Sequence, residues 1–182
     1  MAISTFVGPL AWAPGDGTAL TNTVTQTSLL LGTAAAGKWN MPGNYFSLTG
    51  QTVRVKASGR ITTTTGTNNM TFNIVIGAVN VATSPTFVDL ASQTNLTWEL
   101  DWLLTLRSVG DGTLATFMHT GNWLTAAVSA TNLNNLIPAT APAVGTGFNA
   151  TTAAVFDLQA TWSAASASNS IQLHQYMLEA VV

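Results

Sequence analysis

Glu99 and Asp101 stand two residues apart in one alternating stretch, and His119 and His174 are the only histidines. Paired carboxyls beside an imidazole are the groups acid–base chemistry uses, because neighbouring carboxyls perturb each other's ionisation. Glycosidases use such pairs, usually from different strands and at separations of about 5 to 9 Å. Here both carboxyls occupy one face of one strand, where they can pair across strands with Arg54, Lys56 or Arg107. That structural pairing is the preferred reading. A hydrolase built on Glu99, Asp101 and His119 ranks last of three functional readings. Zinc wants three or four convergent ligands, and two histidines with scattered carboxylates form no such spacing motif. A serine nucleophile wants an elbow of the Gly-x-Ser-x-Gly kind. Ser58 before Gly59 and Ser108 before Val109-Gly110 do not make one. Gly145-Thr146-Gly147 lacks the third glycine and the following helix of a phosphate loop. The expectation is a non-enzyme with no catalytic residue, no cofactor and no metal site.

The six tryptophans divide into two groups. Trp98 and Trp102 share the apolar side of one alternating stretch, and Trp162 is in register with Phe156 and Leu158, so these read as core. Trp12, Trp39 and Trp123 sit near turns or element ends. Exposed there, they would anchor a subunit interface or stack on sugar rings. An apolar chain favours the interface.

The elements that must carry these residues are strands. In 96–107, Leu96, Trp98, Leu100, Trp102, Leu104 and Leu106 occupy every second position, with Thr97, Glu99, Asp101, Thr105 and Arg107 between them. Strand side chains alternate faces, so this period predicts a long strand with one buried face. Asp111-Gly112 then predicts a type I′ hairpin with a return strand over 113–121. Further strands are expected at 24–31, 53–57, 70–76, 155–162 and 171–178, with Gly59 allowing a bulge. Residues 62–67 and Pro42-Gly43 read as turns. Residues 126–137 hold at most one helical turn, because Thr131, Asn132, Asn134 and Asn135 are poor helix formers, and 138–147 reads as a long loop. The pattern is an all-β antiparallel sandwich or barrel. Residues 1–20 form an N-terminal arm or edge element, and residues 21–182 form one domain.

Composition narrows the partners. Charged residues are 7% and hydrophobic residues 47%, with mean hydropathy +0.32 and a net charge of −2. The usual charged share is about a quarter. The surface must therefore be built from Thr, Ser, Asn, Gln and Gly, or be covered by other subunits. Lys38, Arg54, Lys56, Arg60 and Arg107 are the whole basic inventory, too dispersed to track phosphates, so no nucleic-acid partner is expected. No apolar run approaches the roughly 18 residues of a membrane span, and 1–13 lacks a basic signal-peptide start. The Asn-x-Thr triplets at Asn69, Asn95 and Asn149 read as accidents of composition. Without cysteine, disulfides and thiolate metal sites are excluded.

Three stretches carry a resemblance. The first is Val53-Arg54-Val55-Lys56-Ala57-Ser58-Gly59-Arg60-Ile61-Thr62. The second is Leu100-Asp101-Trp102-Leu103-Leu104-Thr105 followed by Arg107-Ser108-Val109-Gly110. The third is Ala160-Thr161-Trp162-Ser163 leading to Leu173-His174-Gln175. Together they resemble small β-rich structural proteins of tailed bacteriophages, of the head decoration (cement) and head-fibre type. The resemblance spans 53 to the C-terminus and leaves 1–50 uncovered. It implies a jelly-roll-like sandwich, a homotrimer, attachment to a major capsid protein lattice and display on the virion surface after assembly in the host cytoplasm. It transfers no catalytic residue. The alternative is a carbohydrate- or receptor-binding fibre or tail module, with Trp12, Trp39 or Trp123 as platforms.

Overall fold

The computed structural model describes residues 8–66, 68–129, 131–142 and 144–181. The alternation of 96–107 becomes the longest strand. Leu96–Ser108 puts Trp98, Leu100, Trp102, Leu104 and Leu106 in the core and turns Thr97, Glu99, Asp101, Leu103, Thr105 and Arg107 outward. The strands in chain order are β1 Gly8–Trp12, β2 Leu20–Thr21, β3 Thr27–Ser28, β4 Trp39–Met41, β5 Thr52–Thr62, β6 Asn68–Ile76, β7 Val79–Thr83, β8 Phe87–Asp89, β9 Leu96–Ser108, β10 Thr116–Thr125, β11 Asn134–Ile137, β12 Ala154–Trp162 and β13 Ser170–Ala180. A single 3-10 helix, Gly32–Gly37, is the helical element among the described residues.

Two sheets face each other as an antiparallel sandwich. The larger runs β1-β13-β5-β9-β10-β11, with β2 also on β13. The smaller runs β3-β12-β6-β7, with β4 on β12 and β8 on β6. The chain crosses from β5 to β6, from β8 to β9, from β11 to β12 and back to β13, so both sheets interleave in sequence as in a jelly roll. Every named pairing is antiparallel.

The core between the sheets is strongly aromatic. At one end Phe72, Phe87 and Trp123 pack with centroids 4.8 to 6.3 Å apart, with Trp98 6.0 Å from Phe72. At the other, Phe46 meets Phe117 edge-on at 4.9 Å and Phe117 stacks on Phe148 at 5.0 Å. Such pairs each contribute about 0.5 to 1.5 kcal/mol beyond their area.

Several local expectations change. The hairpin after β9 is wider than a two-residue turn. Only Gly112 of the Asp-Gly pair has positive φ, at 58°, and Ala115 leaves the ladder to exchange both backbone hydrogen bonds with Phe148 at 3.2 and 2.8 Å. The return strand therefore starts at Thr116 and runs to Thr125. Within 24–31 only Thr27–Ser28 is strand. Within 126–137 residues 126–128 form a turn and the regular element among the described residues is strand β11. Of the two alternatives for 1–20, an arm or an edge element, Gly8–Trp12 takes the second as an edge strand of the larger sheet paired with β13. The arm expectation for 1–7 lies outside the described residues.

The bulge expected at Gly59 sits on the opposite strand. A Cβ at Gly59 would lie 1.9 Å from the Gln172 carbonyl oxygen and 3.0 Å from the Trp98 ring, so only glycine permits this approach. On β13, Leu173 pairs with Gly59 and Gln175 with Ser58, leaving His174 as the extra residue. A one-residue insertion inverts the faces beyond it. Tyr176 consequently turns into the core and does not share the face of Gln172 and His174, while Gln175 and Met177 turn outward.

Candidate functional site

Cross-strand register builds the outer face of the larger sheet in rows. One row runs Trp12, Met177, Lys56, Asp101, Asn122, Leu136 across six strands. The adjacent row runs Gln175, Ser58, Glu99, Leu124, Asn134. Between them lies an open groove of about 490 Å³, lined by Lys56, Ser58, Glu99, Asp101, Asn122 and Gln175 with Leu124 and Met177. Arg54 binds Asp101 through two guanidinium nitrogens, Nε to Oδ1 at 2.7 Å, and this bond holds the Arg54 pKa above its ordinary value. Ser58 donates to Gln175 Oε1 at 3.3 Å. Lys56, Glu99 and Asn122 carry no side-chain hydrogen bond among the described residues. The charged side chains lining the groove are Lys56, Glu99 and Asp101, with Arg54 beside it on Asp101.

The opposite end of the same sheet is different. β11 is the last strand, with one edge unpaired among the described residues. Beside it a cleft of about 460 Å³ is lined by Pro85, Phe87, Val88, Val128, Leu136 and Ala139 together with Thr86, Asn132, Asn134 and Asn135. None of these is charged. Val88 is 56% exposed, Leu136 61% and Leu133 49%.

The sheet separates the acid–base candidates. Glu99 and Asp101 face outward, whereas His119 is buried on the inner side. There its Nδ1 accepts the Trp102 Nε1–H at 3.2 Å, and burial lowers its pKa. The bond fixes Nδ1 as the unprotonated nitrogen. The hydrolase trio is thus not brought together, and Asp101 is engaged by Arg54 as cross-strand pairing predicts. His174 lies elsewhere, with Nδ1 2.9 Å from Asp16 Oδ1. Among the described residues no three or more His, Asp or Glu gather as a metal site.

The three tryptophans separate as well. Trp12 is 59% exposed on the edge strand. Trp39 is half-buried, edge-on to Tyr45 at 4.6 Å. Trp123 is corrected from a surface platform to a core residue. It is fully buried against Phe72 and Phe87, because its register opposite Leu100 puts it on the inner face.

Buried polar groups escape sequence reasoning. Asp157 lies under Tyr176 and is held by Ser28 Oγ at 2.7 Å, Gln159 Nε2 at 3.0 Å and Lys38 Nζ at 3.4 Å. Burial, and then the Asp157 charge, push the Tyr176 phenol far up. Asp89 has neither oxygen partnered among the described residues, and burial pushes it up to about 7. Neither site has a local motif. The alternation of 116–124 does mark Asn122 as outward, but the bulge hides Gln175.

Comparison with known proteins gives little beyond the path of the chain. No family model and no curated protein matches it. Among solved structures it is similar to the CBM2 module of the evolved Dit of Lactobacillus casei BL23 phage J-1, at 10% identity and a TM-score of 0.44, over 99% of each chain. A likeness this distant says nothing of ligand or activity.

Proposed function

We propose that this chain is a non-enzymatic structural protein of a phage virion, which assembles as a homotrimer and attaches to the capsid lattice through uncharged apolar surface. The observation that carries the reading is the outer edge of β11, unpaired among the described residues, beside a cleft with no charged residue in its lining. Soluble proteins usually blunt such edges with Lys, Pro or bulges, because free N–H and C=O groups recruit another chain. Here 132–137 contains only Asn, Leu and Ile. A partner would cover Val88, Leu133 and Leu136. At about 25 cal/mol per Å² of apolar area and roughly 800 Å² per partner, repeated by symmetry, such interfaces hold a shell component without ion pairs. The low charge and the phage-protein resemblance point the same way.

The test is light scattering after size exclusion, followed by co-sedimentation with assembled capsids at 50 and 500 mM salt. The expected results are a trimer and binding that persists at high salt. Val88→Lys should weaken both. A monomer that does not co-sediment overturns the proposal, and loss of binding at moderate salt overturns its apolar mechanism.

A further inference from the structure

We propose that the groove on the outer face of the larger sheet binds an uncharged carbohydrate chain, with Trp12 as a stacking platform at one end and Lys56, Glu99, Asn122 and Gln175 as hydrogen-bonding groups along it. The site is distinct from the β11 cleft and does not rest on capsid attachment.

Shape is the first argument. A volume of about 490 Å³ lies within the roughly 300 to 1,000 Å³ of small-molecule sites, and the groove is open to solvent.

Chemistry is the second. The ammonium of Lys56 donates, the carboxylate of Glu99 accepts, and the amides of Asn122 and Gln175 do both. Sugar hydroxyls need such a mixture. Lys56, Glu99 and Asn122 have no competing protein partner among the described residues. Lys56 is the one cation in the lining against the carboxylates of Glu99 and Asp101, which disfavours a polyanion, since that would need excess positive charge.

Trp12 is the third. An indole 59% exposed on an edge strand contributes little to the core, yet it stands in the same row as Met177, Lys56, Asp101 and Asn122. Lys56 is two strands away, roughly 10 Å at the usual strand spacing. An amphipathic ring at that distance covers the apolar face of a sugar while the groove takes the hydroxyls.

Rigidity is the fourth. The groove side chains stand on paired strands β13, β5, β9 and β10, so little ordering entropy is lost on binding. The His174 bulge is what brings Gln175 and Met177 onto this face.

The experiment is isothermal titration of the full chain with hexasaccharides of β-1,4-glucose, α-1,4-glucose, β-1,4-xylose and β-1,4-N-acetylglucosamine and with a rhamnose–glucose cell-wall polysaccharide, alongside tryptophan emission. Saturable binding to at least one is expected. Trp12→Ala and Asn122→Ala should each weaken it about tenfold or more, while Leu114→Ala, at an exposed loop residue, leaves it unchanged. Both test positions are surface residues, and unchanged melting temperatures confirm that the variants fold. No binding to any probe overturns the proposal, as does binding that both groove variants leave intact. Val88→Lys separates the two sites, since it should impair trimer and capsid binding while sparing glycan binding.

Discussion

Replacing Asp89 with Asn should stabilise the protein above neutral pH and change its pH dependence. Asp89 ends β8, opposite Asn68, at 1% exposure with neither carboxyl oxygen hydrogen-bonded among the described residues. Burial penalises the ionised form and raises the pKa from 3.8 to about 7. At about 1.4 kcal/mol per pKa unit, ionising this group in the fold costs on the order of 4 kcal/mol in full. The sign follows from proton binding. Below pH 4 both folded and unfolded chains hold the proton. Between about 4 and 7 only the unfolded chain releases it, so stability falls as pH rises, and above 7 the loss is complete. Asn has no proton to lose. Urea denaturation at pH 5 and 8.5 should show the unmodified chain losing roughly 3 kcal/mol more than Asp89→Asn over that interval. Groups common to both proteins, His119 among them, cancel in the difference. Parallel curves for the two proteins would refute the reasoning, since they would mean that Asp89 ionises in the fold as freely as in the unfolded chain.

Two other perturbations test the frame. Gly59→Ala drives a methyl group to 1.9 Å from the Gln172 carbonyl, so a loss of about 4 kcal/mol or a failure to fold is expected, read by thermal melting and soluble yield. Trp102→Phe removes the Nε1–H that His119 Nδ1 accepts and should cost about 1 kcal/mol. In the unmodified chain His119 stays neutral as pH falls below 6.5, so that residue destabilises the fold on acidification. NMR titration should show its ring resonances shifting at a lower pH than those of a free imidazole.

The sandwich was legible because the side chains of β9 alternate without interruption and the sheet built around it obeys the same period. The pairing of Asp101 with Arg54 followed from that alternation too. Legibility stopped where the period breaks. Nothing local announces that His174 is an extra residue, because the cause is the contact between Gly59 and Gln172, which are far apart in sequence. Strict alternation from Gln172 would put Tyr176 outward and Gln175 inward, the reverse of what the bulge produces. Trp123 failed for a related reason. Its place near a predicted element end said less than its register opposite Leu100, and register becomes visible only once β10 is paired. The Asp157 network and Asp89 depend on side chains converging from separate strands, which no spacing motif encodes.

The pairing of β1 with β13 has a topological consequence. Gly8 lies opposite Ala180, so the strand that opens the described chain and the strand that closes it meet at one corner of the sandwich. Adjacent ends of this kind make a domain tolerant of insertion into a host loop and of circular permutation. A short linker from Ala180 back to Gly8, with a new opening cut in the 138–142 loop, would preserve every strand pairing of the two sheets. The same corner offers a single tether, so a fused cargo would leave from one side of the domain and not span it.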